Sequence, residues 1–284
     1  MTSTAPKNVG VVGGGRMGAG IAQVFATLGS TVTIAESGDR EAAVKRVSDG
    51  LDRAHERGKL GDVDPATILG RVSTVAAPDA LPPALDLVVE AVPELVDLKL
   101  GVLALVEKTV SPTTVIASNT SSISIAELGN ALSDPARLIG MHFFNPVPAS
   151  TLVEIVRAPA TDAGVVEKVR EWVAQLGKTE VLVNDSPGFA TSRLGVCLGL
   201  EAIRMLEEGV ADAESIDRAM ELGYRHPMGP LRSTDLVGLD VRLAIAEHLA
   251  KTLGDRFAPP ALLREKVAKG ELGRKTGQGF FTWS

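Results

Sequence analysis

Apolar positions in the first part of the chain alternate between two periodicities. Short unbroken runs, "VGVV" (9–12), "TVTIAE" (31–36), "LDLVVEAV" (85–92), "TVIAS" (114–118), "RLIGMHFF" (137–144) and "TLVEIV" (151–156), have the length and β-branched content of buried strands. Between them, "RMGAGIAQVFATLG" (16–29), a longer polar stretch at 40–59, "PELVDLKLGVLALVEKTV" (93–110) and a short segment at 125–132 follow helical spacing. Strands that are apolar throughout and alternate with helices predict a parallel sheet covered on both faces. After "NDSPGF" (184–189) only helical spacing remains, in "RLGVCLGLEAIRMLEEG", "SIDRAMELGY", "LVGLDVRLAIAEHLAKTLG" and "ALLREKVAKG". The proline–glycine break places a boundary near 187, with an α/β domain over 1–187 and an all-helical domain over 188–284.

The turn after the first strand sharpens this reading. Gly13, Gly15 and Gly18 in "GGGRMG" satisfy G-x-G-x-x-G between a strand and a helix. Gly13 serves the tight turn, Gly15 lets a pyrophosphate approach the backbone, and Gly18 lets helix and strand pack closely. Arg16 and Met17, between the last two glycines, open the helix whose N-terminus faces the phosphates. Glu36 closes the second strand, in position to accept hydrogen bonds from a ribose and to repel a 2′-phosphate, which favours NAD over NADP. Arg40 lies close enough to offer such a phosphate a partner. The N-terminal domain is therefore read as a doubly wound, Rossmann-like dinucleotide site, with ligands beyond the carboxyl ends of the strands. Glu90, Ser118 to Ser122 and His142 fall at or just after such ends.

Two ionisable residues sit inside runs that otherwise read as buried strand. "NPVPAS" between them can reverse the chain, so that His142 and Glu154 face each other across a strand pair. A carboxylate on one imidazole nitrogen fixes the tautomer and leaves the other to exchange a proton with a substrate. The plain alternative is a hydrogen-bonded core histidine and a solvent-facing glutamate. A dinucleotide site favours the dyad, because hydride transfer from an alcohol needs a base. His55 and His248 lie on polar helix faces, and His226 lies in a turn. Arg46, Arg53 and Arg57 share one face of the 40–59 helix, a seat for a phosphorylated group or a solvated face interleaved with Asp52 and Glu56.

Composition removes several classes of function. The 284 residues are 45% hydrophobic and 23% charged, with a net charge of −6, and carry no block of like charge to bind nucleic acid or an anionic membrane. No run reaches the roughly eighteen apolar residues of a membrane span, and "MTSTAPKN" lacks the apolar stretch of a signal peptide. Cys197 is the single cysteine, which excludes a disulfide framework and points to a cytoplasmic setting. No metal site is expected, since His142 has no second ligand at the required spacing, and no G-x-S-x-G elbow is present.

Taken in order, "GVVGGGRMGAGIAQVFA", "VVEAVPE", "ASNTSSISI", "GMHFFNPVP", "LVEIV", "DSPGF" and "GLEAIRMLEEGVA" resemble the L-3-hydroxyacyl-CoA dehydrogenase family, including bacterial 3-hydroxybutyryl-CoA dehydrogenases. The resemblance runs from about residue 8 to "GRKTGQGFF". It implies NAD-dependent, reversible oxidation of an L-3-hydroxyacyl-CoA to the 3-ketoacyl-CoA. By the same resemblance His142 is the base, Glu154 its partner, and Ser121 the hydroxyl on the reacting oxygen. Glu94 and Lys99 match positions that contact NAD, Asn119 in "SNTSS" joins the cofactor site, and Arg46, Arg53 and Arg57 fall where CoA phosphates bind. Where the family reads P-G-F-x-x-N-R, "PGFATSR" places Ser192, a shorter side chain with one donor, at the position of a substrate-contacting asparagine. The family also implies a homodimer through the helical domain. A short acyl group such as 3-hydroxybutyryl, a dicarboxylic 3-hydroxyadipyl group, or a free hydroxy acid presents the same reacting end. A non-catalytic dinucleotide-binding protein is the reading of another class.

Overall fold

The structure, a computed structural model, describes residues 5–283. It divides into two compact units that meet in sequence between Asp185 and Ser186. The first is built on one eight-stranded sheet: β1 (Asn8–Val12), β2 (Thr31–Ala35), β3 (Val72–Val75), β4 (Leu87–Glu90), β5 (Val115–Ser118), β6 (Leu138–Phe143), β7 (Leu152–Arg157) and β8 (Thr179–Asn184). Their order across the sheet is β3-β2-β1-β4-β5-β6-β7-β8, and every neighbouring pair is parallel except β6 and β7. After β1 the chain builds outward through β2 and β3, then returns to lay β4 on the other side. That reversal opens a crevice beyond the carboxyl end of β1.

The helices of this unit are α1 (Arg16–Leu28), α2 (Arg40–Glu56), α3 (Pro65–Leu69), α4 (Val96–Thr109), α5 (Ile125–Gly129) and α6 (Ala163–Gln175). Ile21, Ala22, Phe25 and Ala26 of α1 are fully buried in one core with Val9, Val11, Val32 and Ile34 of the sheet. Side chains of the size of Ile and Phe contribute about 1.5–3 kcal/mol each when removed from water. Helix α1 stops at Gly29, whose φ of +111° an L side chain resists. Helix α2 starts on Asp39, whose side chain accepts from Ala42 N.

The second unit contains α7 (Thr191–Glu207), α8 (Ala213–Gly223), α9 (Pro230–Val237), α10 (Leu239–Leu253) and α11 (Ala261–Ala268) around Val196, Leu200, Ile203, Leu231, Leu239 and Leu249. Two buried acids organise its backbone. Asp217 accepts from Leu231 N and Arg232 N at the start of α9. Asp235 accepts from Phe280 N, Phe281 N and Trp283 Nε1, which docks the last described residues.

Several elements depart from the apolar pattern. The single helix expected over 236–254 is broken at Gly238, where φ is +105°, into the end of α9 and the whole of α10. Helix α2 closes at Glu56, with Arg57 as its C-cap. The pattern did not predict α3, β3, α6 or β8. Strands β3 and β8 lie at the two edges of the sheet, half-buried or exposed along their length, so neither carries a continuous apolar run. Among the described residues no helix is long and apolar enough to cross a membrane.

Candidate active site

The glycine turn has three different environments. A Cβ on Gly18 would lie 1.8 Å from the carbonyl oxygen of Gly13, and one on Gly13 2.8 Å from that of Ala91. A Cβ on Gly15 would meet nothing within 4 Å. Two glycines are thus required by packing, while the third faces open space at the start of α1. Gly15 is the N-cap of α1, no side chain caps the helix, and its first turn holds no acid. This is the arrangement that receives a pyrophosphate on free N–H groups. Met17 is half-buried, its side chain packed against the core. Glu36 accepts from Gly14 N at 2.6 Å through Oε2 and from Gly38 N at 2.7 Å through Oε1. Each of these oxygens keeps a lone pair for a further donor. The residues present fit a dinucleotide with an unphosphorylated ribose.

Beside this turn lies a cleft of about 1100 Å³ between α1, α2 and the turn after β6. Its wall carries Arg16, Arg46, Arg53, Arg57, Lys59 and Lys178. Asp49 is the one acid on the wall, and it pairs with Lys45. Asp52 and Glu56 are exposed and do not line the cleft, so the arginine face is separated from the acids that interleave with it in sequence. Arg46 also reaches the glycine turn, donating from Nη1 to Gly14 O at 3.1 Å. Such a surface matches several phosphates on one ligand.

The far end of the cleft is the turn containing Asn145, Pro146 and Val147, which joins β6 to β7. In that antiparallel pair His142 lies directly opposite Glu154. His142 Nδ1 is 2.9 Å from Glu154 Oε2, with His142 7% exposed and Glu154 fully buried. The Phe144 ring stacks at an angle on the imidazole, 4.4 Å between centroids. Lys178 holds the turn from the neighbouring chain segment, donating to Val147 O at 2.7 Å and to Ser150 O. Burial pulls its ammonium below the usual lysine range.

The loop after β5 is gathered by one carboxylate. Glu94 Oε1 accepts from Thr120 Oγ1 at 2.6 Å and Ser121 N at 2.8 Å, and Ser121 Oγ lies 3.2 Å away. Burial works to raise the Glu94 carboxyl, but Lys99 and the hydrogen bonds from Thr120 and Ser121 outweigh it and hold it below the ordinary value. Asn119 Oδ1 accepts from Phe143 N at 2.8 Å, tying this loop to the residue next to His142. Lys99 is buried, with its ammonium on Glu90 and Glu94. Its ammonium also donates to Val92 O at 3.3 Å, so its contacts here are groups of its own chain.

Two family models divide the chain between them. That of the NAD binding domain of 3-hydroxyacyl-CoA dehydrogenase matches residues 8–186, and that of the C-terminal domain matches 188–283. The chain belongs to the 3-hydroxyacyl-CoA dehydrogenase family. It is an NAD-dependent dehydrogenase of that family. A probable 3-hydroxybutyryl-CoA dehydrogenase of Deinococcus radiodurans is 43% identical over 96% of this chain and 99% of its own length. A 3-hydroxybutyryl-CoA dehydrogenase of Mycobacterium tuberculosis is 41% identical over 99% and 100%. The crystal structure of (S)-3-hydroxybutyryl-CoA dehydrogenase PaaH1 from Ralstonia eutropha superposes with a TM-score of 0.93 at 42% identity, covering 99% of this chain and 100% of that one.

The structure brings Ser121, His142, Glu154 and Asn119 of the sheet unit toward the carboxyl ends of β5 and β6, and places the three arginines on the cleft wall. Ser192, in the helical unit, is the second residue of α7. The sequence placed Glu90 at a strand end where ligands bind but gave it no specific task, and nothing in its own segment marked Lys178. Arg242 of α10 was also missed. Its Nε is buried without a hydrogen-bond partner among the described residues, and burial pulls its pKa down to about 10.

Proposed function

We propose that this enzyme oxidises short-chain L-3-hydroxyacyl-CoA thioesters such as 3-hydroxybutyryl-CoA, and reduces the 3-keto product in the reverse direction. The observation that carries this is the His142–Glu154 pair, 2.9 Å apart, on the two strands whose connecting turn lines the arginine-bearing cleft. NAD, bound at Gly13, Gly15, Arg16, Met17 and Gly18 with Glu36 on the ribose, supplies the hydride acceptor. With Nδ1 committed to Glu154, His142 takes the 3-hydroxyl proton on Nε2, and in reduction returns it. The Glu154 carboxylate faces the imidazolium so formed and keeps the ring from turning. Ser121 donates a hydrogen bond to the reacting oxygen. Arg46, Arg53 and Arg57 take the CoA phosphates, with Arg16, Lys59 and Lys178 adding charge to the same wall.

Glu94 and Asn119 complete the cofactor side, and Ser192 meets the substrate where an asparagine would reach further. The relatives' names support the short acyl group. Exposed Leu194, Leu222, Tyr224, Val237 and Val241 support a homodimer through the helical unit, with light scattering on the purified protein as its check. The single cysteine supports a cytoplasmic setting.

The test is oxidation of NADH with acetoacetyl-CoA and with free acetoacetate as separate substrates. Turnover of the thioester alone is the expected result. Equal turnover of the free acid would remove the role given to the arginines, and binding of NADH without turnover of either would sink the dehydrogenase reading of this site.

A further inference from the structure

Glu90 ends β4 and is fully buried. Its Oε1 accepts from Lys99 Nζ at 2.8 Å and Val92 N at 2.7 Å, and its Oε2 from Lys99 Nζ at 3.0 Å and Ser118 Oγ at 2.6 Å. A carboxylate has about four acceptor positions, and these four hydrogen bonds, two of them from the Lys99 ammonium, fill them. Glu90 therefore has nothing left for a ligand. It fixes Lys99, and the same ammonium lies 3.2 Å from Glu94 Oε2.

The other oxygen of Glu94 carries more donors than it can satisfy. Thr120 Oγ1, Ser121 N and Ser122 N approach Oε1 at 2.6, 2.8 and 3.1 Å, while the hydroxyls of Ser121 and Ser122 stand at 3.2 and 3.3 Å. One carboxylate oxygen has about two lone pairs, so the shorter bonds saturate it and the two serine hydroxyls hold it weakly. The loop backbone is fixed. The Ser121 hydroxyl is left able to turn to another acceptor.

We propose that Glu90 and Lys99 are positioning residues for the hydride-transfer reaction. They set Glu94, Glu94 sets the backbone from Thr120 to Ser122, and that backbone presents the Ser121 hydroxyl, lightly held, to the reacting oxygen. The inference rests on the proposed roles of Ser121 and His142. It gives Lys99 a place in the support beneath the loop, besides the contact with NAD that the family resemblance implies.

The experiment compares Glu90→Gln, Lys99→Met, the double variant Glu90→Gln/Lys99→Met, Ser121→Ala, and Glu90→Gln in the Ser121→Ala background. With acetoacetyl-CoA, each of the first two lowers kcat about tenfold or more, because small misplacements of a reacting group are costly. The double variant regains thermal stability, since a buried ion pair is replaced by neutral groups, yet kcat stays low. In the Ser121→Ala background Glu90→Gln causes no further loss, as expected for residues acting as one unit. Recovery of kcat together with stability would show a merely structural pair and overturn the proposal, as would losses that multiply. A wild-type protein that leaves acetoacetyl-CoA untouched would sink the functional reading alone. Hydrogen exchange at the Ser121 and Ser122 amides then decides the positioning role: faster exchange in Glu90→Gln supports it, and unchanged exchange overturns it.

Discussion

The sheet unit and the helical unit both bury carboxylates, and they surround them differently. Glu154 and Glu90 face ionisable side chains, His142 and Lys99, at the carboxyl ends of strands. Asp217 and Asp235 face backbone N–H groups and an indole, and they join segments of chain. An acid matched to N–H groups has one task, because its partners cannot change protonation. An acid matched to an imidazole or an ammonium holds a group whose charge or position matters elsewhere. The partner, more than the burial, separates the two uses.

The largest effect expected from this contrast is at His142. His142→Ala should lower kcat about a hundredfold or more, the usual contribution of a positioned acid or base, while thermal denaturation shows a fold close to that of the wild type. Asp235→Ala should do the reverse. Three donors lose their acceptor, at about 1–3 kcal/mol for each one left unsatisfied, and partial rehydration of the tail brings the loss to about 2–4 kcal/mol in urea unfolding, with kcat retained. If Asp235→Ala abolished turnover in folded protein, the division between the units would not hold.

Smaller effects sharpen the comparison. Arg53→Ala or Arg57→Ala should raise KM for the acyl-CoA by about tenfold, the worth of one charge-assisted contact, leave kcat near wild type, and weaken the dependence of KM on salt. Arg242→Met should raise stability by about 1 kcal/mol, because a largely buried guanidinium whose Nε has no partner among the described residues gives way to an apolar side chain of similar length. A lower melting temperature in that variant would reveal a partner for Arg242 in the assembled protein.

The smallest effect is in pH. Glu94 has a folded pKa below its ordinary 4.5, so its stabilisation is present above that value and lost as pH falls through the folded pKa. Asp217 is shifted the other way by burial, which outweighs its two backbone N–H donors, so its contribution is greatest below 3.8 and lost as pH rises through the folded value. Urea unfolding of Glu94→Gln and Asp217→Asn against wild type, from neutral pH to about pH 3.5, should show differences with opposite slopes.

Much of this was legible in the chain because it follows local rules. The strand–glycine–helix order gave the dinucleotide turn. The spacing of Arg46, Arg53 and Arg57 gave one helix face, though only the fold could separate that face from Asp52 and Glu56. The His142–Glu154 pairing was readable because a short turn between two strands leaves few registers. The support around Glu94 was not, since residues 90, 94, 99 and 118–122 meet through parallel pairing of β4 with β5, a contact that no local periodicity encodes. The edge strands β3 and β8 escaped notice because half their residues face water. The break between α9 and α10 escaped because Gly238 interrupts an apolar pattern that continues on both sides of it.

Lys178 bears on the order in which the parts of the site become available. His142 and Glu154 belong to neighbouring strands, and the turn between them is fastened by a residue that lies beyond α6. The strand that covers the outer edge of β7 begins at Thr179. A nascent chain that has emerged only as far as α6 therefore carries both members of the dyad, but neither the clasp on their turn nor the cover for their hairpin. Competence to handle a proton arrives late in synthesis, well after the two residues that perform the task.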